Sequence, residues 1–531
     1  MRPMKMKNAF LKTRLLLAMM AAVGLLTGTA HAAAPGITGP TFNLIAQPAY
    51  ITQPDGQSIY SWGYGCSGDP AGYAPSAITT TFCKSMQIPG PTLIVTEGQT
   101  VTVTLTNGLP TAAGNTSILF PGFNVTATGG TPGLLTQEAT PGGTVTYSFV
   151  ASSPGTRAYY SGSQGDLQVE MGMYGAVIVL PSAIPAACTN GLPTSNPGAN
   201  KTAQTSWGEH DFRLAAAAYD HPKTCYDREY LFQFSEMDPN IHTQALAQVT
   251  ALGSCLVADP KCHLEVPTEP YHPVYFMING RSMPDDMDPN YAAEYPHQPY
   301  NGNPHLHPGE IVLLRIIGQG RWQHPFHEHA NHVRILARDG NLILSQTDSN
   351  SLAGPALFTT TTTPGLAMDG LFYFTGRGLN WDMYGHNPGS TDTSATLPCT
   401  PDANGYNTGA PTAINFWEWC QDHNKPLQAA PFGDVAGGGP VTLPDANILT
   451  NGAWYGGSPY LGPDATVRAT GPTGVTPPSG TIANSPGGEA GFAFMWHSHN
   501  EREITTNNAF PGGMMMMMLV DSREFLIDES N

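Results

Sequence analysis

Two short apolar stretches, each carrying histidines one residue apart, restrict the fold of this chain more than any other feature. Residues 494–499 read FMWHSH, and residues 323–332 read QHPFHEHANH. Side chains on a strand alternate between the faces of a sheet, so His497 and His499 share one face and Ser498 takes the other. By the same parity His327 and His329 share a face, and His324, an odd number of positions away, takes the opposite one. If the two strands are neighbours, four imidazoles converge on one side of a sheet. Neutral imidazole is a ligand for copper, zinc and iron, so this is a metal site in outline. The other side receives His324, Ser498 and whatever the loop after His499 supplies.

The start of the chain reads as a secretory leader. Arg2, Lys5, Lys7, Lys12 and Arg14 precede the apolar run LLLAMMAAVGLL, and Ala30-His31-Ala32 is an A-x-A cleavage site. Residues 1–32 are therefore expected to be removed on export, which makes the protein periplasmic, extracellular or cell-surface. The run is too short for a membrane span, and no later stretch has the ~20 apolar residues a span requires. The formal net charge is −18, and losing the leader's cations makes it more acidic still. Such a chain argues against nucleic acid as a partner. A small-molecule or metal substrate remains open, as does a homo-oligomer.

Eight cysteines in an exported chain suggest a disulfide framework. Pairing by proximity gives Cys66 with Cys83, Cys188 with Cys225, Cys255 with Cys262, and Cys399 with Cys420. Sequence alone leaves 105 arrangements formally open. There is no C-x-x-C, so cysteine ligation of a metal is the weaker alternative.

Along the chain, short strands alternate with Gly, Pro and Asn turns, and no long helical period appears. In PTLIVTEGQTVTVTLTNGLP the residues Val101, Val103 and Leu105 fall on one face; in GGTVTYSFV the same holds for Val145, Tyr147 and Phe149. Residues 42–183 are thus expected to form one β-sandwich, and 184–224 a Pro, Ser, Asn and Thr-rich connector. From Cys225 the strands restart: REYLFQFSE, then TQALAQVTALG as a short helix, VYFMINGRSMP, and the near-continuous apolar run of PGEIVLLRIIGQG, which suits a buried strand. A second domain then covers 225–525. Its stretch at about 380–487, rich in Gly, Pro, Asn and Thr, is an insertion that could cap a site or make a subunit contact. A degenerate third domain within 205–300 is the alternative division.

The pair HPFHEH and WHSH resembles the last two copper motifs of multicopper oxidases, HPxHxH and HCHxxxHxxxxM. GPTLIVTEGQTVTVTLTN, TPGLLTQEATPGGT and PGTRAYYSGSQGDLQVEMGMYGAVIVLP resemble the first cupredoxin domain of that family over nearly its whole length. The resemblance implies an all-β fold of tandem cupredoxin-like Greek-key sandwiches, with the insertion in the C-terminal one. The two-domain arrangement is similar to two-domain laccases and copper nitrite reductases. It also implies copper as cofactor and oxidoreductase activity.

The departures narrow that implication. Ser498 stands where the family's blue copper needs a Cys, and Glu503 where it needs the next His. Leu119-Phe120-Pro121-Gly122 replaces one HxHG of the trinuclear centre, and Tyr160-Ser161-Gly162 replaces an HxH. Only His327, His329, His497 and His499 remain of eight ligands, so four-copper reduction of dioxygen is not expected. The reduced set points to a residual His-ligated copper, with zinc as the alternative metal; His324, Glu503 and Met514 are weaker metal candidates. The rival functions are a non-catalytic metal-binding protein and a structural or surface-assembly protein on the same scaffold.

The remaining features have plainer readings. His305 and His307 read as surface loop, and the run Met514–Met518 as a strand packed on both faces, with soft thioethers making copper(I) the competing role. Asp166 and Glu170 read as a solvated strand face. Leu119, Pro121, Tyr160 and Gly162 are expected to wall the site on the side of the first domain.

Overall fold

The computed structural model describes residues 33–76, 82–189, 210–307, 309–374 and 491–520, with short pieces at 398–401, 407, 409, 457–461 and 527. The leader, about half of the connector and most of the insertion lie outside the described residues.

Alternation produces the first sandwich as expected. Val101, Val103 and Leu105 are buried opposite Phe149, Tyr147 and Val145, because strands Thr100–Asn107 and Thr144–Val150 pair antiparallel in that register. Their outward threonines line up in the same rows, and Thr104 and Thr146 bond through their hydroxyls at 3.1 Å. This sheet continues through Thr41–Thr52 to Ser58–Cys66. The facing sheet runs Gly155–Tyr160, Tyr174–Leu180, Leu93–Thr96, Gly36–Thr38 and Tyr73–Ala74. Trp62, Tyr64, Tyr147 and Tyr159 fill the space between the sheets. Each such buried side chain contributes about 1.5–3 kcal/mol.

The second sandwich begins at Arg228. One sheet has the order Tyr275–Ile278, Arg228–Met237, Ile311–Gly318, Ala367–Tyr373, Val333–Arg338 and Asn341–Leu342. The other has the order His305–Leu306, Met515–Val520, Gly491–Ser498, His324–Glu328 and Thr359–Thr362. Residues 228–278 therefore contribute two strands to this second sandwich. Between those strands Pro239–Leu252 forms the expected helix, with Pro239 at its first turn and the Asp238 carboxylate accepting from Asn240 N at 2.9 Å.

The five methionines follow strand parity. Met514, Met516 and Met518 are fully buried among Phe232, Phe326, Phe372 and Trp496, while Met517 is half-buried on the other face. Met516→Ala is expected to destabilise this sandwich by about 2–5 kcal/mol, the cost of a large-to-small core change. Met517→Ala should cost about 1 kcal/mol or less. Denaturant midpoints of the two variants check this; equal losses would remove the packing account of the run.

The sandwiches meet through buried polar groups. Arg315 Nε donates to Glu229 Oε2 at 2.8 Å, and its Nη1 donates to Thr156 Oγ1 at 3.0 Å. Thr156 Oγ1 in turn donates to Asp369 Oδ1 at 2.6 Å, and Tyr219 OH donates to Asp369 Oδ2. Tyr174 OH donates to Ser235 Oγ at 2.7 Å, again across the junction. All of the charged members are at most 1% exposed.

Three disulfides join Cys66–Cys83, Cys188–Cys225 and Cys255–Cys262. Cys399 is also disulfide-bonded, and its expected partner Cys420 lies outside the described residues. No helix among the described residues is long and apolar enough to cross a membrane.

Two expectations change. His305 and His307 are fully buried rather than on a surface loop, because His305–Leu306 pairs with Leu519–Val520 as an edge of the His-bearing sheet. Glu170 is 2% exposed, because the chain at Gly165–Gln168 turns as a short helix and strand alternation does not apply there. Its carboxylate accepts from Asp238 N and Tyr271 OH, each at 2.7 Å.

Candidate metal centre

The strands His324–Glu328 and Gly491–Ser498 are antiparallel neighbours, with His327 directly opposite His497 and Phe326 opposite Ser498. Phe326 and Trp496 drive this register, because both turn into the core between the sheets. The alternate residues, His327 and His497, are then placed together on the other face. His329 and His499 flank them.

Three of the four imidazoles form a tight group. His327, His329 and His497 each offer a nitrogen within 4.8 Å of the others, and all three are buried. Ring centres are 4.9 Å apart for His327 and His329, 5.5 Å for His327 and His497, and 5.1 Å for His329 and His497. The His499 ring centre is 4.7 Å from that of His327, but its side chain is 44% exposed and lies 3.6 Å from the Glu501 carboxylate. His499 thus stands at the solvent edge of the group.

Hydrogen bonds fix the rings. His497 Nδ1 donates to its neighbour's carbonyl, Ser498 O, at 2.7 Å, which leaves the lone pair on Nε2. His327 Nδ1 pairs with Thr359 Oγ1 at 2.6 Å, across the next strand. Trp496 Nε1 donates to the His329 carbonyl at 3.0 Å and holds that backbone against the core. Such partners orient ligands and tune their basicity.

The group fits a metal ion. His497 Nε2 and His329 Nε2 are 3.2 Å apart and share one proton. Two nitrogens about 2.0–2.1 Å from a tetrahedral ion stand about 3.3–3.4 Å from each other, so an ion could replace that proton with little movement. Burial first, then the proximity of His497 and His499, pushes the His327 pKa down to about 4, and burial lowers that of His497 too. Both are therefore neutral at ordinary pH, the form that binds metal.

The other face carries no metal group of this kind among the described residues. His324 is fully buried between two carboxylates, its Nε2 2.8 Å from Glu236 Oε2 and its Nδ1 2.9 Å from Glu503 Oε2. Ser498 Oγ donates to the same Glu503 oxygen at 2.5 Å. The carboxylates lie against opposite edges of the ring, so His324 and Glu503 make an ion triad and do not converge with the other histidines. Burial alone would discharge His324, but its bonds to Glu236 and Glu503 win and raise its pKa to about 9. Gly513 allows the Glu503 loop to close. It has φ +65°, and a Cβ there would lie 2.1 Å from Glu503 O.

Met514 is in the core and meets this region through its backbone, accepting from Ser498 N at 2.9 Å. Glu328 also turns inward. Burial raises its pKa well above the usual carboxyl range, and Thr360 donates to its Oε1 at 3.2 Å. Glu236, the partner that sequence reasoning missed, comes from a strand 88 residues earlier than His324. No local spacing could have announced it.

In the first sandwich, Leu119 and Tyr160 bond to each other through their backbones, and a Cβ on Gly162 would strike the Leu119 side chain. Thr359, Phe358 and Glu501, which lie against these rings, belong to the second sandwich.

Comparison with known proteins bears on the first sandwich. Residues 74–183 match the family model of multicopper oxidases. A stretch of 117 residues is 35% identical to Laccase 1 of Metarhizium acridum, covering 22% of this chain and 18% of that laccase's length. Among solved structures, the chain is similar to a blue copper oxidase from Nitrosomonas europaea at 15% identity and a TM-score of 0.43, covering 90% of this chain and 85% of that one. It is also similar to the multicopper oxidase mgLAC at 14% identity and a TM-score of 0.42, covering 92% of this chain and 87% of that one. The first sandwich, matched at 74–183, is thus a multicopper-oxidase-like domain.

Proposed function

We propose that this chain is an exported copper-binding protein that holds one copper ion through His327, His329 and His497. His499 stands at its solvent edge. The 3.2 Å approach of two imidazole Nε2 atoms carries this reading. Export is supported by the disulfides and by the leader pattern at residues 1–32.

Copper bound there would supply one-electron redox chemistry. The chain's own residues supply the rest. Thr359 and the Ser498 carbonyl hold two rings in the tautomer and orientation a ligand needs. Phe358, with its ring centre 5.8 Å from that of His327, shields part of the group from water. The half-exposed His499 leaves one side accessible, and an open position is what catalysis at a metal requires. That observation favours a second reading, a copper-dependent oxidoreductase acting on a small molecule.

Chelator-washed protein reloaded with copper is expected to retain one equivalent after gel filtration, without an intense blue absorption band. The blue colour of the family comes from copper-thiolate bonding, and position 498 offers only a hydroxyl that is engaged to Glu503. Ser498→Cys alone should not produce the band, since the facing His324 stays tied between Glu236 and Glu503. A blue wild-type protein would overturn this assignment, and failure to retain copper would favour the structural role. Oxidation of a small one-electron donor in air separates the catalytic reading from simple binding.

A further inference from the structure

We propose that Met515 adds a thioether to the metal held by His327, His329 and His497, and that the site therefore prefers copper(I) to zinc. This rests on the metal reading of the three imidazoles and gives it a metal and an oxidation state.

The placement comes from strand register. Thr359 pairs with His327, His327 with His497, and His497 with Met515, so these four residues form one row across four strands. Directly opposed residues share a face, with Cβ atoms about 4.5–5.5 Å apart. Met515 therefore flanks His497 on the side away from His327. Its side chain has three rotatable bonds and a polarisable sulfur, and it is only 4% exposed, so the thioether does not trail in water. Met514, Met516 and Met518 have the opposite parity and sit in the core. Met517 pairs with Met495 one row further from the imidazoles.

The chemistry gives the selectivity. Thioether sulfur is a soft donor that selects copper(I), whereas zinc is held by thiolate, imidazole and carboxylate. The donor set is also uncharged. Glu328, the nearest carboxyl in sequence, is on the inner face and bonded to Thr360. A buried neutral set leaves the whole ionic charge uncompensated, and a monovalent ion costs far less to bury than a divalent one.

The alternative is that Met515 only fills space, and the isosteric Leu separates the two. The full chain, washed with chelator, is titrated anaerobically with copper(I) against a chromophoric competitor, and separately with zinc(II). Met515→Leu is expected to weaken copper(I) binding by about tenfold or more and to leave zinc(II) within about twofold, while Met514→Leu changes neither. X-ray absorption of the copper(I)-loaded wild-type chain should show a sulfur neighbour to the metal, a measurement that depends on no variant folding. Copper(I) binding by Met515→Leu equal to wild type, equal losses for both metals, or a spectrum without sulfur would each overturn the role of Met515 and leave the histidine site standing. A wild-type chain that binds neither metal would overturn the site itself.

Discussion

His497→Ala is expected to weaken copper binding by more than about a hundredfold. His497 stands at the centre of the group, with ring centres of His327, His329 and His499 all within 5.6 Å of its own. Losing an outer hydrogen-bond partner of a metal ligand already costs 10–100-fold, and loss of the ligand itself should exceed that. The effect on the metal-free fold should be small, because Trp496 and Phe494 supply this strand's apolar core surface. His332→Ala is the control. His332 is exposed at the end of the same motif, and its change should leave affinity intact. Competition titration of the three proteins, with their melting temperatures in chelator, provides the measurement. Wild-type affinity in His497→Ala would remove the site from these strands.

The second large effect concerns stability. His324→Ala should destabilise the second sandwich by about 3–5 kcal/mol, since it leaves Glu236 and Glu503 buried without their cation. Glu236 would keep Tyr271 OH and the backbone amides of Arg321 and Trp322, and Glu503 would keep Ser498 and Asn500, but none of these carries compensating charge at the oxygens. The pH dependence has a definite sign. The folded pKa of about 9 lies above the ordinary 6.5, so the charged triad stabilises the fold fully below about pH 6.5. That stabilisation declines as pH rises and is gone above about 9. The whole span corresponds to about 3 kcal/mol at 1.36 kcal/mol per unit of pKa. Denaturant unfolding at pH 6 and pH 9.5 should show the loss in wild type and not in His324→Ala. A wild-type protein equally stable at both values would mean that the triad does not depend on an imidazolium.

Strand parity made much of this arrangement legible in advance. His327 and His497 share a face, and His324 and Ser498 take the other, because a period of two is strict wherever one face is buried. The same rule divides the five methionines, although sequence order alone favoured Met514, which follows the loop, over Met515, which is paired with His497. What parity cannot supply is the identity of partners from distant strands. Glu236 reaches His324, and Thr359 reaches His327, only through sheet order, and sheet order is set by packing across the whole sandwich. His305 and His307 read as loop because a Pro-Gly turn follows them; their two-residue strand pairing with Leu519 and Val520 was too short to leave a pattern. The exposure of His499 was equally hidden, since it depends on where the sheet ends. That the first domain offers no imidazole at these positions was legible too, because Leu119, Pro121 and Gly162 carry no metal-ligating side chain.

The junction between the sandwiches bears on how copper and shape are related. Arg315, Glu229, Asp369, Thr156 and Tyr219 close it, and none of them touches the histidine group in the described contacts. The contact between the sandwiches is thus made by the chain's own side chains. A chain whose halves are held by its own buried ions keeps one shape whether copper is scarce or abundant. If the proposed copper site is filled, its loading would follow supply as a reservoir fills and drains, with no folding step between the empty and the charged forms.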